Sequence, residues 1–565
     1  MYFILMNNIC VNSDDSVLFL RAKDILQGNV FLKDWYGSTV SQIFSYLPPA
    51  ILGILINGYN INAIYVVSAL ILTINFFLIT KLIYSHRTSK LTMFITICCM
   101  VFRAFQYFVI NNFGHAELMT YITLMFILLQ QIYSENNNKK SQRYFYILML
   151  IANITSDLCY YVFTIPLIFI TLVRYLKEKN KIDINLTISS VVILILSKIF
   201  NCTTTILGLW RYGGTGTKYF CTFESIGNNI SGTLHFFLRY FNADFWGEKI
   251  FSLQSYCNLV GFLLFIISVL VLCYNIKNFF KINIVDQVLV LGICLQTAAF
   301  TFSNMFDPFA ARYVIIPVLF LLILVCRFDY EMYITKLKTM FADFNLKYKK
   351  IKRLLIMFFC LIPISRIPFL PMKQLQDPSY VTLANYLIDK NLTNRFAPYW
   401  SSHVVTLASK GKVQVSNVIT NGPDIEQSRW LSKSSWYKEP ANFVILNNEG
   451  LDAECLPKDL VLEVLGEPVE IVDIENYSIL IYDYDISKRV NSDYNIYKKG
   501  YQLSYNTELS FCENNRLILC PGDIQFGPCT KFNKWLYRVE ILGDNLHNGA
   551  FDVYSRSGQK ANKMI

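Results

Sequence analysis

Residues 13–42, SDDSVLFLRAKDILQGNVFLKDWYGSTVSQ, begin with two adjacent carboxylates, Asp14 and Asp15. Apolar side chains then follow at the spacing of one helix face: Leu18, Ala22, Ile25 and Leu26. Turn and aromatic residues come next: Gly28, Asn29, Trp35 and Tyr36. The pattern predicts a short amphipathic helix on a membrane surface, with rings of the kind that settle at lipid headgroups. It therefore predicts a paired acid held at the membrane surface.

The composition is far more apolar than that of an ordinary soluble protein. Of 565 residues, 54% are hydrophobic and 16% are charged, and the mean hydropathy is +0.36. The chain is therefore predicted to cross a membrane several times, with a soluble part attached. The formal net charge of +11 is what basic cytoplasmic loops of a membrane protein produce, so nucleic acid is not needed to explain it.

Apolar runs that span, or nearly span, a bilayer predict about 10 transmembrane helices. These runs cover residues 62–84, 91–110, 117–134, 144–155, 158–175, 185–200, 256–276, 284–304, 311–327 and 354–371. Residues 41–60 carry Pro48 and Pro49 inside an apolar run. They are interpreted as interfacial or re-entrant, because a full span would place the basic residues after Tyr84 outside.

Lysine and arginine fall in alternate connections between the runs, which the positive-inside rule places in the cytoplasm. The remaining loops then face outward, among them residues 12–61, residues 201–255 and everything after residue 371. Residues 1–11 are too short to cross a bilayer, although this topology needs a crossing just before Asp14. We therefore expect either that the natural chain begins upstream or that this end is a stub.

Three parts follow along the chain. Residues 1–371 are predicted to form the transmembrane domain, and its first external loop, residues 12–61, carries the candidate site. Residues 372–488 mix helix-like and strand-like segments and predict an extracytoplasmic α/β domain. Residues 489–565 alternate as strands do and predict a β-sandwich-like segment that stops early.

Polar residues at the outer face are the candidates for chemistry. Asp14 and Asp15 are the first, although an Asp pair also serves to cap a helix and to favour its dipole. His115 and Glu117 lie in a short external loop with few other polar groups, and their ordinary interpretation is a polar helix start.

Ionisable groups near the membrane boundary extend this set. Asp157 falls between two apolar runs, where a carboxylate is costly, although it also suits a helix cap. Arg103 lies inside a span, and it either snorkels outward or holds an anion. Arg312 begins another span and suits a phosphate, although it can equally pair with Asp307.

The sequence resembles the GT-C superfamily of polyprenyl-phosphate-sugar-dependent glycosyltransferases, as a bacterial member with a soluble C-terminal domain. The resemblance lies in the acidic start of the first external loop, the juxtamembrane helix and the motifs GHAE, SDLCYYVFTIP and ARYVIIPVLFLLIL. It covers residues 1 to 371. It implies a GT-C-like transmembrane fold in a bacterial plasma membrane, with the active site and C-terminal domain outside the cytoplasm.

The resemblance also implies an inverting transfer. Asp14 or Asp15 would act as general base on an acceptor hydroxyl that attacks a polyprenyl-phosphate sugar, and the acceptor would be a cell-envelope glycan or lipid. Arg103 and Arg312 would bind the lipid phosphate. His115, Glu117 and Asp157 would position the acceptor or donor. Relatives differ in using a divalent cation, so Mg²⁺ or Mn²⁺ on the two aspartates stays open.

Two other functions fit parts of the pattern. A lipid-linked sugar flippase or transporter usually has ionisable groups near the bilayer midplane and matched halves, whereas here these groups lie at the outer edge. A non-catalytic, membrane-anchored glycan-binding protein would use exposed aromatic residues of the soluble part. Its candidates are Tyr399, Trp400, Trp430, Trp436 and Tyr437, for most of which an ordinary core role is preferred.

Overall fold

The computed structural model describes residues 11–39, 41–85, 90–100, 113–134, 138–210, 218–308, 310–330, 348–365, 378–498, 511–513 and 516–518. The chain divides into two compact units, residues 1–497 and residues 498–565. In the second unit the described residues form one antiparallel hairpin, Phe511–Glu513 with Arg516–Ile518. The other strands predicted beyond residue 489 lie outside the described residues.

Helices fill the first two thirds of the first unit. They are α1 (Ser13–Leu26), α2 (Leu47–Asn57), α3 (Asn62–Tyr84), α4 (Lys90–Met100), α5 (Phe113–Ser134), α6 (Lys139–Thr155), α7 (Ile165–Glu178, after a π-turn at Tyr160–Thr164), α8 (Lys181–Ile206), α9 (Ile226–Tyr240), α10 (Leu253–Lys277), α11 (Ile284–Thr301), α12 (Ile315–Arg327) and α13 (Tyr348–Ile364). Every apolar run predicted to span the membrane carries one of these helices. Among the described residues, five helices are long and apolar enough to cross a bilayer: α3, α7 with its π-turn, α8, α10 and α11. A multi-pass helical membrane protein is thereby confirmed.

Local sequence explains where several of these helices begin. The side chain of Asn138 accepts from the backbone N–H of Lys140 at 3.0 Å and so caps α6. Ser252 caps α10 in the same way, by accepting from the backbone N–H of Ser255 at 3.1 Å. By contrast, α12 is apolar all round, and each of its 13 residues is buried. A helix of that kind belongs in the middle of a bundle.

Residues 379–481 form an α/β domain, as predicted. Its strands are β1 (Asn394–Ala397), β2 (Gln414–Asn421), β3 (Asp424–Gln427), β4 (Phe443–Asn447), β5 (Glu470–Ile474) and β6 (Tyr477–Ile481). Its helices are α14 (Ser379–Asp389), α15 (Tyr399–Ala408), α16 (Gly450–Cys455) and α17 (Lys458–Leu465). The sheet runs β3-β2-β1-β4-β6-β5, with β2, β1 and β4 parallel and the remaining pairs antiparallel. Strand β1 is buried from Arg395 to Ala397 and β4 from Phe443 to Leu446, and the apolar run of β4 is typical of a strand covered on both faces.

The connection from β1 to α15 is very short. Pro398 separates the two elements, and Tyr399 is the first residue of the helix. Strand β2 lies on one side of β1 and β4 on the other, so the strand order reverses at β1. In open α/β sheets, the crevice at such a reversal, outside the carboxyl ends of the strands, is where ligands usually bind.

Helix α1 is enclosed by protein, so the prediction of a helix on a membrane surface is wrong. All residues from Ser16 to Ala22 are buried, including Arg21, which is 0% exposed. The short helix α2 packs on one side of α1 and α15 packs on another. Of the predicted apolar face, Leu18 and Ala22 are buried, whereas Leu26 is 45% exposed. The periodicity carries no information on what covers the polar face.

Trp35 and Tyr36, whose rings are predicted to lie at lipid headgroups, contact other parts of the protein instead. Trp35 is 7% exposed and packs edge-on against Trp436, with ring centroids 5.1 Å apart. The hydroxyl of Tyr36 donates to Asp493 Oδ2 at 2.7 Å. Both aromatic side chains therefore attach the first loop to the α/β domain.

A carboxylate at the end of α1 strengthens this attachment. Asp24 accepts hydrogen bonds from Lys433 Nζ at 2.9 Å, from Trp35 Nε1 at 2.8 Å and from Asn29 Nδ2 at 2.8 Å. Burial alone would raise the pKa of Asp24, but these donors and the charge of Lys433 outweigh it and lower the pKa below 3.8. The ionised carboxylate thus stabilises the contact between α1 and the α/β domain.

Replacing Lys433 tests that contact. Lys433→Met leaves a half-buried carboxylate with neutral donors only, so we expect the free energy of unfolding to fall by about 1–3 kcal/mol. Thermal unfolding in detergent measures this. The loss should be full above pH 3.8 and should vanish only as the pH falls through the lowered pKa of folded Asp24, below which the carboxyl is protonated in both states.

The matched control is Arg429→Met. Arg429 also pairs with an aspartate, Asp493, at 3.1 Å, but its side chain is 54% exposed. We expect a loss below about 1 kcal/mol. Equal losses in the two variants would contradict the role given to Lys433.

Candidate functional site

The two predicted acids open helix α1. Asn12 is the N-cap, and its side chain accepts from the backbone N–H of Asp15 at 3.0 Å. Neither aspartate is therefore needed as the cap. Asp14 is exposed to solvent, and the hydroxyl of Tyr399 donates to its Oδ1. Asp15 is half-buried beside it.

The start of α15 is held directly against the start of α1. The hydroxyl of Ser13 donates to the backbone carbonyl of Trp400 at 2.9 Å and accepts from the backbone N–H of His403 at 3.2 Å. From the other side, Asp452 accepts from the backbone N–H of Trp400 at 3.1 Å and so caps α15. These bonds fix where Tyr399 meets Asp14.

Other predicted residues from distant helices approach the same place. Arg312, in the turn before α12, interacts electrostatically with Asp14. Glu117, near the start of α5, interacts with Asp15 in the same way. The hydroxyl of Tyr46, just before α2, interacts electrostatically with Glu117, Asp14 and Arg312. The fold thus gathers two aspartates, a glutamate and an arginine that are far apart in sequence.

Glu117 is unusual within this group. It is 5% exposed, and neither of its carboxylate oxygens has a hydrogen-bond partner among the described residues. Buried carboxylates are normally paired or hydrogen-bonded. A buried carboxylate without partners beside a solvent-exposed acid is the kind of arrangement found at functional sites.

Burial controls the protonation of both aspartates. It raises the pKa of Asp14, while the Tyr399 hydroxyl and the Arg312 charge oppose that rise. Burial and, to a smaller extent, the neighbouring charge of Asp14 raise the pKa of Asp15 to about 7. A hydrogen bond from the backbone of Asn12 lowers this pKa but does not outweigh them. Asp14 is thus exposed to solvent, while the protein around it is enough to raise its pKa.

Three predicted site residues are not part of this described group. Asp157 pairs with Lys198 at 3.5 Å and with Lys218 at 3.6 Å. Arg103 lies outside the described residues. His115 belongs to α5, but its side chain is not among those described. The roles predicted for these residues stay predictions.

Asp14 and Asp15 are the residues on which the divalent cation is predicted. Among the described residues, no three His, Cys, Asp or Glu side chains converge closely enough to hold a metal ion. One oxygen of Asp14 is already bonded to Tyr399. A divalent cation on Asp14 and Asp15 stays a prediction.

Sequence reasoning missed Tyr399 as a partner of Asp14. It placed Tyr399 among aromatic residues that stack on sugars or pack in a core. A strand followed by Pro398 and a helix does mark Tyr399 as the first residue at the carboxyl edge of a sheet. No local signal shows that this edge packs on α1.

Fold and site together define a multi-pass helical membrane protein whose first loop meets a C-terminal α/β domain at a pair of acids. Two crystal structures of ArnT from Cupriavidus metallidurans are similar to it, one bound to undecaprenyl phosphate and one in the apo state. Sequence identity is 10% and 11%, the TM-score is 0.49 and 0.48, and each match covers 85% of this chain and 95% of that chain. No protein-family model and no curated protein matches the sequence.

The raised pKa of Asp15 predicts a pH-dependent stability. An acid whose folded pKa lies above its unfolded value of 3.8 holds its proton more tightly when folded. Its contribution to stability is therefore full below 3.8 and is lost as the pH rises through about 7. Asp15→Asn cannot ionise, so we expect it to unfold at a higher temperature than the wild type at pH 8, with a smaller difference at pH 5. Parallel pH curves for the two proteins would contradict the shift.

Proposed function

We propose that the protein transfers a sugar from a polyprenyl-phosphate-linked donor to a glycan or lipid acceptor on the outer face of the membrane. The observation that carries the proposal is Asp14, a solvent-exposed carboxylate that is held by Tyr399 and interacts with the cation Arg312. A carboxylate and a cation that interact at one site would serve as general base and as partner of the phosphate. Such a pair is what this transfer requires.

In the proposed reaction, Asp14 takes the proton from an acceptor hydroxyl. The hydroxyl oxygen forms a bond to the anomeric carbon of the donor, and the bond from that carbon to the lipid phosphate breaks. Arg312 stabilises the negative charge that develops on the departing phosphate, for which its planar guanidinium is suited. A single displacement of this kind inverts the configuration at the anomeric carbon.

Asp14 suits the role of base better than Asp15. It is the more exposed of the two, and its neighbours Tyr399 and Arg312 both favour its ionised form. The raised pKa of Asp15 keeps part of that residue protonated near neutral pH, which limits repulsion between the two acids. The proposal keeps the remaining predicted roles: Arg103 at the lipid phosphate, and His115, Glu117 and Asp157 in positioning the substrates.

Substitution of the base is the direct test. With Asp14→Asn, we expect transfer from a panel of polyprenyl-phosphate hexoses to fall by about 10²–10⁴-fold, because the acceptor hydroxyl then loses its proton acceptor. The measurement uses purified protein in lipid nanodiscs with labelled donors, and thermal unfolding shows that the variant is folded.

Asp244→Asn is the matched control. It makes the same change at a half-buried aspartate that pairs with His235 at 3.4 Å outside the site. We expect full transfer by this variant. If wild type transfers nothing but moves labelled lipid-sugar across the bilayer, the protein is a flippase and the proposal fails.

Tyr399→Phe tests the contribution of the α/β domain. The hydroxyl of Tyr399 lowers the pKa of Asp14 against the effect of burial, so its removal should raise that pKa further. We expect the acidic limb of the kcat/KM profile to move to higher pH, with a loss of about tenfold in kcat. Tyr494→Phe removes a hydroxyl of the same domain that accepts from Ser434 at 3.1 Å, and it should leave the profile unchanged.

A further inference from the structure

We infer that the acceptor is a carbohydrate and that the exposed indoles of Trp400 and Trp430, which both contact Tyr399, form the surface on which its ring stacks. This inference rests on the proposed function, since it names the acceptor of that same site. We call Tyr399, Trp400 and Trp430 the aromatic platform. The α/β domain would then supply the acceptor side of the site, while the membrane helices face the lipid donor.

Trp400 is exposed at a position where its backbone is fixed. Its N–H donates to Asp452 at 3.1 Å, and its carbonyl accepts from Ser13 at 2.9 Å. Its side chain is nevertheless 40% exposed, and its ring stands edge-on to that of Tyr399 with centroids 5.1 Å apart. Core packing alone does not account for an indole this exposed on a fixed backbone.

Trp430 approaches the same tyrosine from the β3–β4 connection and is 38% exposed. Burial raises the pKa of Tyr399 well above its usual range, Asp14 adds to the rise, and a hydrogen bond from the Trp430 side chain opposes it. The Trp430 carbonyl accepts from Asn417 Nδ2 at 3.1 Å, which fixes the loop. Both indoles are thus held next to the hydroxyl that bonds Asp14.

The chemistry at Asp14 and at the aromatic platform favours a saccharide acceptor over a lipid alcohol. The acceptor hydroxyl must lie within hydrogen-bond distance of Asp14, so the group that carries it must lie over or beside Tyr399. Sugar rings present a face of C–H groups that packs on the electron-rich face of an indole, while their hydroxyls stay in water. An alkyl alcohol of a lipid has no such face and would not use two fixed, half-exposed indoles.

A membrane surface is the competing occupant, because tryptophan also settles at lipid headgroups. The bond from Trp430 to Tyr399 and the position of Trp400 beside Asp14 favour the saccharide. A headgroup anchor needs no contact with a catalytic carboxylate.

The test separates acceptor from donor. In nanodiscs, Trp400→Ala and Trp430→Ala should each raise the KM for a saccharide acceptor by roughly five- to tenfold, with the donor KM unchanged. Trp246→Ala is the matched control: Trp246 is 72% exposed in the connection before α10, outside the platform, and its loss should change neither constant. Equal effects on donor and acceptor KM, or an equal effect of the control, would overturn the platform.

Binding without turnover keeps this inference distinct from the proposed function. Calorimetry on the Asp14→Asn protein uses di- to tetrasaccharides of hexoses and N-acetylhexosamines, and we expect binding that Trp400→Ala weakens by a similar factor. If no saccharide binds while wild type still transfers sugar to a lipid alcohol, the platform fails and the proposed function stands. Quenching of the Trp400 and Trp430 fluorescence by brominated lipids, judged against the two alanine variants, would also overturn it.

Discussion

The hydroxyl of Ser13 joins the two helices on which the candidate site depends. It donates to the first turn of α15 and accepts from the next, and it lies one residue before Asp14. Both helices present their N-termini at this point, so Tyr399 and Asp14 meet where two sets of partly free backbone N–H groups converge. Positive ends of two helix dipoles therefore surround the acid pair and favour negative charge there.

Two basic side chains, Arg21 and His403, are buried in the interior near the acid pair. Arg21 lies two turns after Asp14 on the same face of α1 and is fully buried. It donates to Gln42 and, at 3.4 Å, to the carbonyl of Trp210, and burial lowers its pKa to about 10. His403 lies buried nearby, where burial lowers its pKa to about 3 against a backbone hydrogen bond, so it is neutral. The cation of α1 thus adds to the field that the helix ends create.

The sequence predicts the helices of the membrane part and the strands of the α/β domain well, because long apolar runs and short strand patterns are local signals. It also selects Asp14, Asp15, Glu117 and Arg312, which the fold brings together. The burial of α1 and the role of Tyr399 are not local. The Tyr399 to Asp14 bond joins residues 385 positions apart, and no periodicity records what such distant surfaces do when they pack.

The long separation between Asp14 and Tyr399 also orders events in the life of the chain. The acid leaves the ribosome before helices α2 to α13, whereas its hydroxyl partner follows only after those helices have been made. Lys433, the partner of Asp24, is synthesised later still. The contacts around the acid pair therefore form only after the α/β domain has folded onto α1. A chain interrupted during synthesis lacks the contacts that position the two acids.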